Sequence, residues 1–215
     1  MKKIILIGSN SDISKALVFE NSTEYNFIQM SSNNSSFNIL DKNTFPKHEN
    51  IDGLVYFPGT INLKPFENLK EDDFQKDYEI NVLGLINSLQ FYQNSFNQKA
   101  SIVTISSIAA HFGIPFHTSI SMCKSSVEAL TKSLAAEWAP KIRLNCIAPS
   151  LISTKMSDKL INSELKKNTI AQKHPLKRIG EMSDISNIIS FLLSEKSRWM
   201  TGQIIRVDGG LSNIR

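Results

Sequence analysis

The chain has 215 residues, 41% of them hydrophobic, which suits one globular domain with a substantial buried core and requires no second domain. Its 24 Lys and Arg against 20 Asp and Glu leave a formal charge of +4 scattered along the sequence, so nothing in the charge points to a nucleic-acid partner. The two cysteines, Cys123 and Cys146, lack CxxC spacing and a histidine cluster; they point to neither a disulfide framework nor a metal site, and fit reduced thiols in a cytoplasmic protein.

Met1-Lys2-Lys3 leads into an apolar run, Ile4 to Ile7, that stops at Gly8. That run is too short for a signal-peptide core or a membrane span, and reads as a buried first strand. Short β-branched runs then alternate with stretches of helical period, the pattern of a parallel sheet covered by helices on both faces. Strands are predicted near 3–8, 26–30, 37–40, 52–57, 101–106, 142–147 and 203–207, and helices at 12–21, 71–96, 119–138, 157–170 and 182–194. Glu71 or Asp72 suits the first turn of the second helix, and Asp184 that of the last. Between Met30 and Ile51 the polar run Ser31 to Ser36 offers turn chemistry and little room for a crossover helix, so a surface loop is expected there. The chain is thus read as a single α/β domain over residues 1–215, with a doubly wound parallel sheet.

A strand, then Gly8, then a helix beginning near Asp12 has the form of the first βα turn of a dinucleotide-binding fold, where a helix N-terminus receives a pyrophosphate. Gly8, Ser9, Asn10, Asp12 and Ile13 are the candidate contacts. In Gly8-Ser9-Asn10-Ser11-Asp12-Ile13-Ser14 only the first glycine of a Gly-x-x-x-Gly-x-Gly loop is present, and an ordinary strand-to-helix turn is the plain alternative. An acid at position 12 repels a pyrophosphate unless it turns away as a helix cap.

Later segments carry a stronger likeness. Ile51 to Gly59, Asn81 in Ile80-Asn81-Val82, Ile102 to Ser107, Ile142 to Ser150, Pro175 to Gly180, and Thr201-Gly202-Gln203 with Val207-Asp208-Gly209-Gly210 together resemble the short-chain dehydrogenase/reductase family along the whole chain. The resemblance implies a Rossmann-like fold and an oxidoreductase in which Asn, Ser, Tyr and Lys act together. In that set the tyrosine exchanges the proton, the lysine lowers its pKa and holds the ribose, and the serine polarises the substrate oxygen.

Asn81, Ser107 and Lys124 stand in the matching places, but Ile120 occupies the tyrosine position. Positions four apart share a helix face, so residue 120 should project beside Lys124. All four tyrosines, Tyr25, Tyr56, Tyr78 and Tyr92, lie earlier in the chain. His117, in the loop entering the helix, is the candidate replacement acid, against the plain alternative of an exposed loop histidine. Cys123 next to Lys124 and, more weakly, His111 are further options; core packing is the alternative for the thiol.

Thr154, after Pro149-Ser150, matches the residue that holds the nicotinamide carboxamide, although Ser150 replaces a glycine of the family pattern. Gly59 retains the glycine of the third-strand motif. Ser31 and Asn38 are candidate contacts at the adenosine end. No carboxylate follows the second strand, which leans the cofactor toward NADP over NAD. Seven Lys and Arg between Lys155 and Arg178 suit either an anionic small-molecule substrate or a solvated helix face. A homodimer or homotetramer through helices 71–96 and 119–138 is expected, with no membrane partner. The competing reading is a catalytically silent dinucleotide-binding or assembly protein.

Overall fold

The computed structural model of the chain describes residues 1–32 and 37–214. Strand β1 (Lys2–Ile7) sets its architecture, because its side chains alternate between two cores. Ile5 and Ile7 join Leu54, Tyr56, Ile102 and Leu144 on one side, while Ile4 and Leu6 join Val55, Val103 and Ile147 on the other. A strand apolar on both faces must be covered twice. Helices α3 (Gly84–Tyr92) and α4 (Thr118–Trp138) lie over the first face, contributing Leu85, Leu89 and Val127 to its core, and α2 (Glu71–Tyr78) packs against α4. Helices α1 (Asp12–Asn21) and α6 (Met182–Leu193) cover the second with Leu17, Ile185 and Ile189.

The remaining strands are β2 (Tyr25–Met30), β3 (Ile51–Tyr56), β4 (Phe96–Ile105), β5 (Ile142–Pro149) and β6 (Ile204–Val207). All pairings are parallel, in the order β2-β1-β3-β4-β5-β6. The chain leaves β1 for opposite sides to form β2 and β3, and a crevice opens at the carboxyl ends of strands where the winding reverses. The expected doubly wound parallel sheet is present.

Three expected elements differ. No strand forms at 37–40: Phe37 drops into the core, Asn38 Oδ1 accepts the Leu40 N–H at 3.0 Å, and a 3₁₀ turn at Lys42–Thr44 follows, capped by Asp41. Side-chain-to-backbone bonds of Asn and Asp outcompete a ladder for this short segment. The adjoining positions 33–36 of the polar run lie outside the described residues.

The long helix expected at 71–96 is instead α2, a π segment at Glu79–Leu83, and α3 ending at Tyr92. Asn81 Nδ2 donates to the Asp77 carbonyl at 2.8 Å and the Tyr56 hydroxyl donates to the Ile80 carbonyl at 2.6 Å, drawing acceptors out of the ordinary ladder. Strand β4 accordingly starts at Phe96, paired with Ile51, and not near 101.

The helix expected at 157–170 forms later, as α5 (Glu164–Lys173). Ser163 caps it by accepting the Lys166 N–H, whereas the Ser157 hydroxyl, bonded to the Ile152 carbonyl at 2.6 Å, holds residues 154–157 in a tight turn. No helix among the described residues is long and apolar enough to cross a membrane.

Close sheet packing leaves one position with no room for a side chain. A Cβ on Gly53 would stand 2.7 Å from the Ser101 carbonyl oxygen and 2.9 Å from Ile4 Cδ1, both in neighbouring strands. Gly53→Ala is therefore expected to lower stability by about 2–3 kcal/mol, read as a fall in urea midpoint at unchanged m-value.

Candidate active site

Every strand end that borders the crevice delivers a candidate residue. A cleft of about 640 Å³ runs from Asn10, Asp12 and Ile13 after β1, past Gly59 after β3 and Ser107 after β4, to Pro149 and Thr154 after β5. Helix α4 adds Ile120 and Lys124 to the same wall, and His117 stands at its entrance. Most of the remaining lining is apolar, including Ile61, Leu63, Ile114, Met156, Leu160 and Ile170.

Lys124 is the most constrained charge in the cleft. Its side chain is 7% exposed, and Nζ donates to the Ile105 carbonyl at 2.9 Å. Burial lowers its pKa from the ordinary lysine value to about 8, only partly opposed by nearby acidic groups that include Asp77. A Cβ built on Gly59 would lie 3.3 Å from Lys124 Nζ and 3.4 Å from Asn81 Oδ1, so the absence of a side chain there keeps a small cradle open over both atoms. Asn81 Oδ1 is buried with no hydrogen-bond partner, while its Nδ2 donates to Thr60 Oγ1 at 3.0 Å and to the Asp77 carbonyl. An orphaned acceptor beside a buried ammonium, at an open cradle, fits a hydroxyl-bearing ligand.

Beneath this corner lies a carboxylate that the sequence did not single out. Asp77 is 1% exposed and accepts hydrogen bonds from Thr60 Oγ1 at 2.5 Å and Ser119 Oγ at 2.6 Å. Its spacing four residues before Asn81 on a helix was the available signal.

Ser107 caps a 3₁₀ turn at Ile108–Ala110, its Oγ accepting the Ala109 N–H at 3.2 Å, which leaves the hydroxyl proton available to a ligand oxygen. Its neighbour Ser106 is instead engaged with Glu128 at 2.8 Å. Ile120 is buried on the cleft wall and carries no exchangeable proton. His117 is half-buried; its Nδ1 lies 2.7 Å from the Pro115 carbonyl, leaving Nε2 as the free edge. Cys123 is fully buried, and burial raises its thiol pKa to about 11, outweighing Lys124 and consistent with packing. His111 is exposed, stacked edge-on against Phe112.

The first βα turn departs from the simplest phosphate loop. The Gly8 and Ser9 amides donate to the Met30 carbonyl at 2.8 and 3.0 Å, and Gly8 takes a φ of +77° against Pro58, so these two N–H groups face β2. Ser11, not Asp12, caps α1. The Asp12 carboxylate is turned to the Lys155 backbone N–H at 2.7 Å, and so ties the helix start to the segment after Thr154. Asn10 Nδ2 donates to Ser31 Oγ at 2.9 Å, whereas Asn38 has its Oδ1 engaged in its own turn. The structure thus gathers Asn10, Asp12, Ile13, Gly59, Ser107, His117, Lys124, Pro149 and Thr154 around one cleft, and leaves Asn38 away from its walls.

Comparisons with known proteins agree with this arrangement. A family model described as enoyl-(acyl carrier protein) reductase matches residues 31–212. The 3-oxoacyl-acyl-carrier-protein reductase FabG of Buchnera aphidicola subsp. Baizongia pistaciae is 36% identical over 168 residues, covering 75% of this chain and 66% of that protein, so the chain spans about two thirds of that relative. Among solved structures, a short chain dehydrogenase family protein from Francisella tularensis superposes with a TM-score of 0.89 at 24% identity, over 99% of both chains. A tyrosine-to-phenylalanine variant of ElxO with NADPH bound matches with a TM-score of 0.83 at 26% identity, over 98% of this chain and 99% of that one. With strand order, cleft and matched residues in agreement, the chain belongs to the short-chain dehydrogenase/reductase family.

Proposed function

We propose that the protein is an NAD(P)(H)-dependent oxidoreductase acting on the carbonyl or alcohol carbon of a small molecule with an apolar body. The observation that carries this reading is the buried Lys124 ammonium beside the Gly59 cradle and the orphaned Asn81 Oδ1, opening on a cleft at the sheet's switch point. Bound there, a reduced nicotinamide supplies hydride to a carbonyl carbon.

The chain's own groups have separable roles. Lys124 donates to the ribose hydroxyls and Asn81 backs it, while Pro149 and Thr154 hold the carboxamide end. Ser107 donates its free proton to the substrate oxygen as a hydrogen bond. Asn10, Asp12 and Ile13 shape the phosphate end on the turn that Gly8 and Ser9 brace against β2, with Ser31 toward the adenosine. NADP is the favoured cofactor, because Ser31 and Asn10 present a hydroxyl and an amide where a carboxylate would repel a 2′-phosphate. ElxO, whose variant structure holds NADPH, supports binding of this cofactor by the shared scaffold.

Lys155 and Lys173 at the cleft rim favour an anionic substrate or carrier, a character shared with the acyl-carrier-protein substrate in the name of the Buchnera relative. A homo-oligomer through α2 and α4, in the cytoplasm, is part of this reading, and the exposed Tyr78 and Met122 on those helices support it.

Isothermal titration tests the reading directly. NADPH is expected to bind with a dissociation constant well below millimolar and more tightly than NADH. Binding without oxidation of NADPH by any activated carbonyl would favour the silent dinucleotide-binding protein that Ile120 also permits. No binding of either nucleotide at millimolar concentration would overturn both.

A further inference from the structure

Ile120 leaves the cleft in need of a proton source, and a serine–histidine pair lines the same cleft. Ser150 follows directly from β5, half-buried, and its Oγ lies 2.8 Å from His174 Nε2. His174 closes the C-terminal end of α5, is 2% exposed, and has Nδ1 2.9 Å from the Ile170 carbonyl. A carbonyl can only accept, so Nδ1 carries its hydrogen and Nε2 is the sole exchanging nitrogen. A hydroxyl within hydrogen-bond reach of an imidazole that is itself oriented by a third group is the arrangement of an activated proton-transfer pair. Both residues line the cleft that also holds Ser107, Lys124 and Ile120.

We propose that Ser150 and His174 form the proton-delivering pair of this cleft, with Ser150 Oγ touching the substrate oxygen and His174 refilling it. The inference rests on the oxidoreductase reading above. In the reducing direction a C–H bond forms at the carbonyl carbon with the hydride electron pair, and the C=O π pair moves onto oxygen. The Ser150 O–H bond breaks as the substrate O–H forms; the Nε2–H bond of the doubly protonated His174 imidazolium breaks as the Ser150 O–H is restored, leaving the neutral ring with its hydrogen on Nδ1. The net consumption is one hydride equivalent from the reduced nicotinamide and one proton, which His174 regains from solvent after product leaves. His174 is a positioning and relay residue; Ser150 is the group in contact with substrate.

Charged or titratable groups lining the cleft with the pair are Asp12, His117, Lys124, Lys155 and Lys173, and Arg178, Asp184 and Asp208 line the small cavity adjoining it; Asp12 is held by the Lys155 amide and Lys124 by the Ile105 carbonyl. Arg178 and Asp184 are paired with each other, and Asp208 accepts the Gly210 and Ser212 amides at 2.9 and 3.0 Å. The imidazole is therefore left to exchange with Ser150.

The test has one arm on the pair itself and one on turnover. Long-range ¹H–¹⁵N NMR of the full chain should find His174 with hydrogen on Nδ1, and Ser150→Ala should move its Nε2 resonance and titration. A ring protonated on Nε2 alone, or one indifferent to Ser150→Ala, overturns the pair. With NADPH and 2,3-butanedione as probe, Ser150→Ala and His174→Gln should each lower kcat by about a hundredfold, the usual loss of a general acid, with NADPH affinity unchanged. His174→Gln should also remove the alkaline limb of the pH profile, because the donor must be protonated, and Ser150→Thr, which keeps the hydroxyl, should retain activity. Unchanged affinity shows that the variants fold. Turnover unaffected by either variant, turnover lost instead in His117→Asn, or NADPH binding with no reduction of the dione by the wild type overturns the inference while the cofactor reading stands. Absence of NADPH binding removes that reading and this inference together.

Discussion

In a Ser150→Ala background, where the resident proton donor is removed, replacing Ile120 with tyrosine is expected to raise NADPH-dependent reduction of an activated ketone by about a hundredfold, the usual contribution of a positioned general acid. Residue 120 lies on the face of α4 that carries Lys124 one turn later, both side chains border the cleft, and Ser107 borders it too. A phenol there would sit beside a buried ammonium, which favours phenolate and lowers the phenol pKa toward the working range. The cleft of about 640 Å³ has room for the larger ring on its open side. Two readouts check the outcome: steady-state oxidation of NADPH, and the ultraviolet titration of the new phenol against that of an Ile120→Tyr, Lys124→Met double variant. A folded, cofactor-binding Ile120→Tyr protein whose phenol titrates at the ordinary value, with or without Lys124, would show that position 120 does not face Lys124.

Lys124→Met is expected to have the second large effect, and its sign reverses between binding and stability. NADPH affinity should fall by at least tenfold, since the variant removes the only ammonium buried at the Gly59 cradle among the described residues. Stability should respond to pH in the opposite sense. Burial lowers the folded-state pKa of Lys124 to about 8, below the unfolded lysine value of 10.5. Between these values the unfolded chain holds the proton and the folded chain does not, so wild-type stability rises with pH across that window. Below about pH 8 the charged amine is carried in the fold at a cost, and that cost is relieved as pH climbs. The displacement corresponds to about 3 kcal/mol. Urea unfolding at pH 7.5 and pH 10.5 should therefore show the wild type gaining about that much relative to Lys124→Met. A pH-independent difference between the two proteins would mean that Lys124 is solvated in the fold.

These expectations reach the two ends of what could be read without coordinates. The apolar runs at Ile4–Ile7 and Leu54–Tyr56 declared buried parallel strands, because only a strand covered on both faces is apolar at every position, and Ile142–Ile147 kept enough apolar positions beside Arg143 and Asn145 to join them. Helix α1 and most of α4 and α6 followed from periodicity, with Asp184 in the first turn of α6 as a further signal. Ile120 beside Lys124 was legible for the same reason: helical geometry is local, and a spacing of four fixes a shared face.

What escaped the sequence was set by competition or by distance. Whether Asn38 would extend a strand or close a turn depended on side-chain hydrogen bonds of comparable strength to a ladder, and the turn prevailed. The π segment around Asn81 formed because Tyr56, in a strand 24 residues earlier, reaches the Ile80 carbonyl. Asp12 was a liability to a phosphate until the fold brought the Lys155 amide, 143 residues later, to its carboxylate. Asp77 beneath Lys124 had only its spacing before Asn81 as a signal and His174 against Ser150 had none, since a buried acid or imidazole is defined by the partners that compensate it. Local chemistry thus determined the sheet, its covering helices and the face that carries Lys124. Only the tertiary structure decided which polar groups meet across the cleft, because hydrogen-bond partners distant in sequence are chosen by packing and not by spacing.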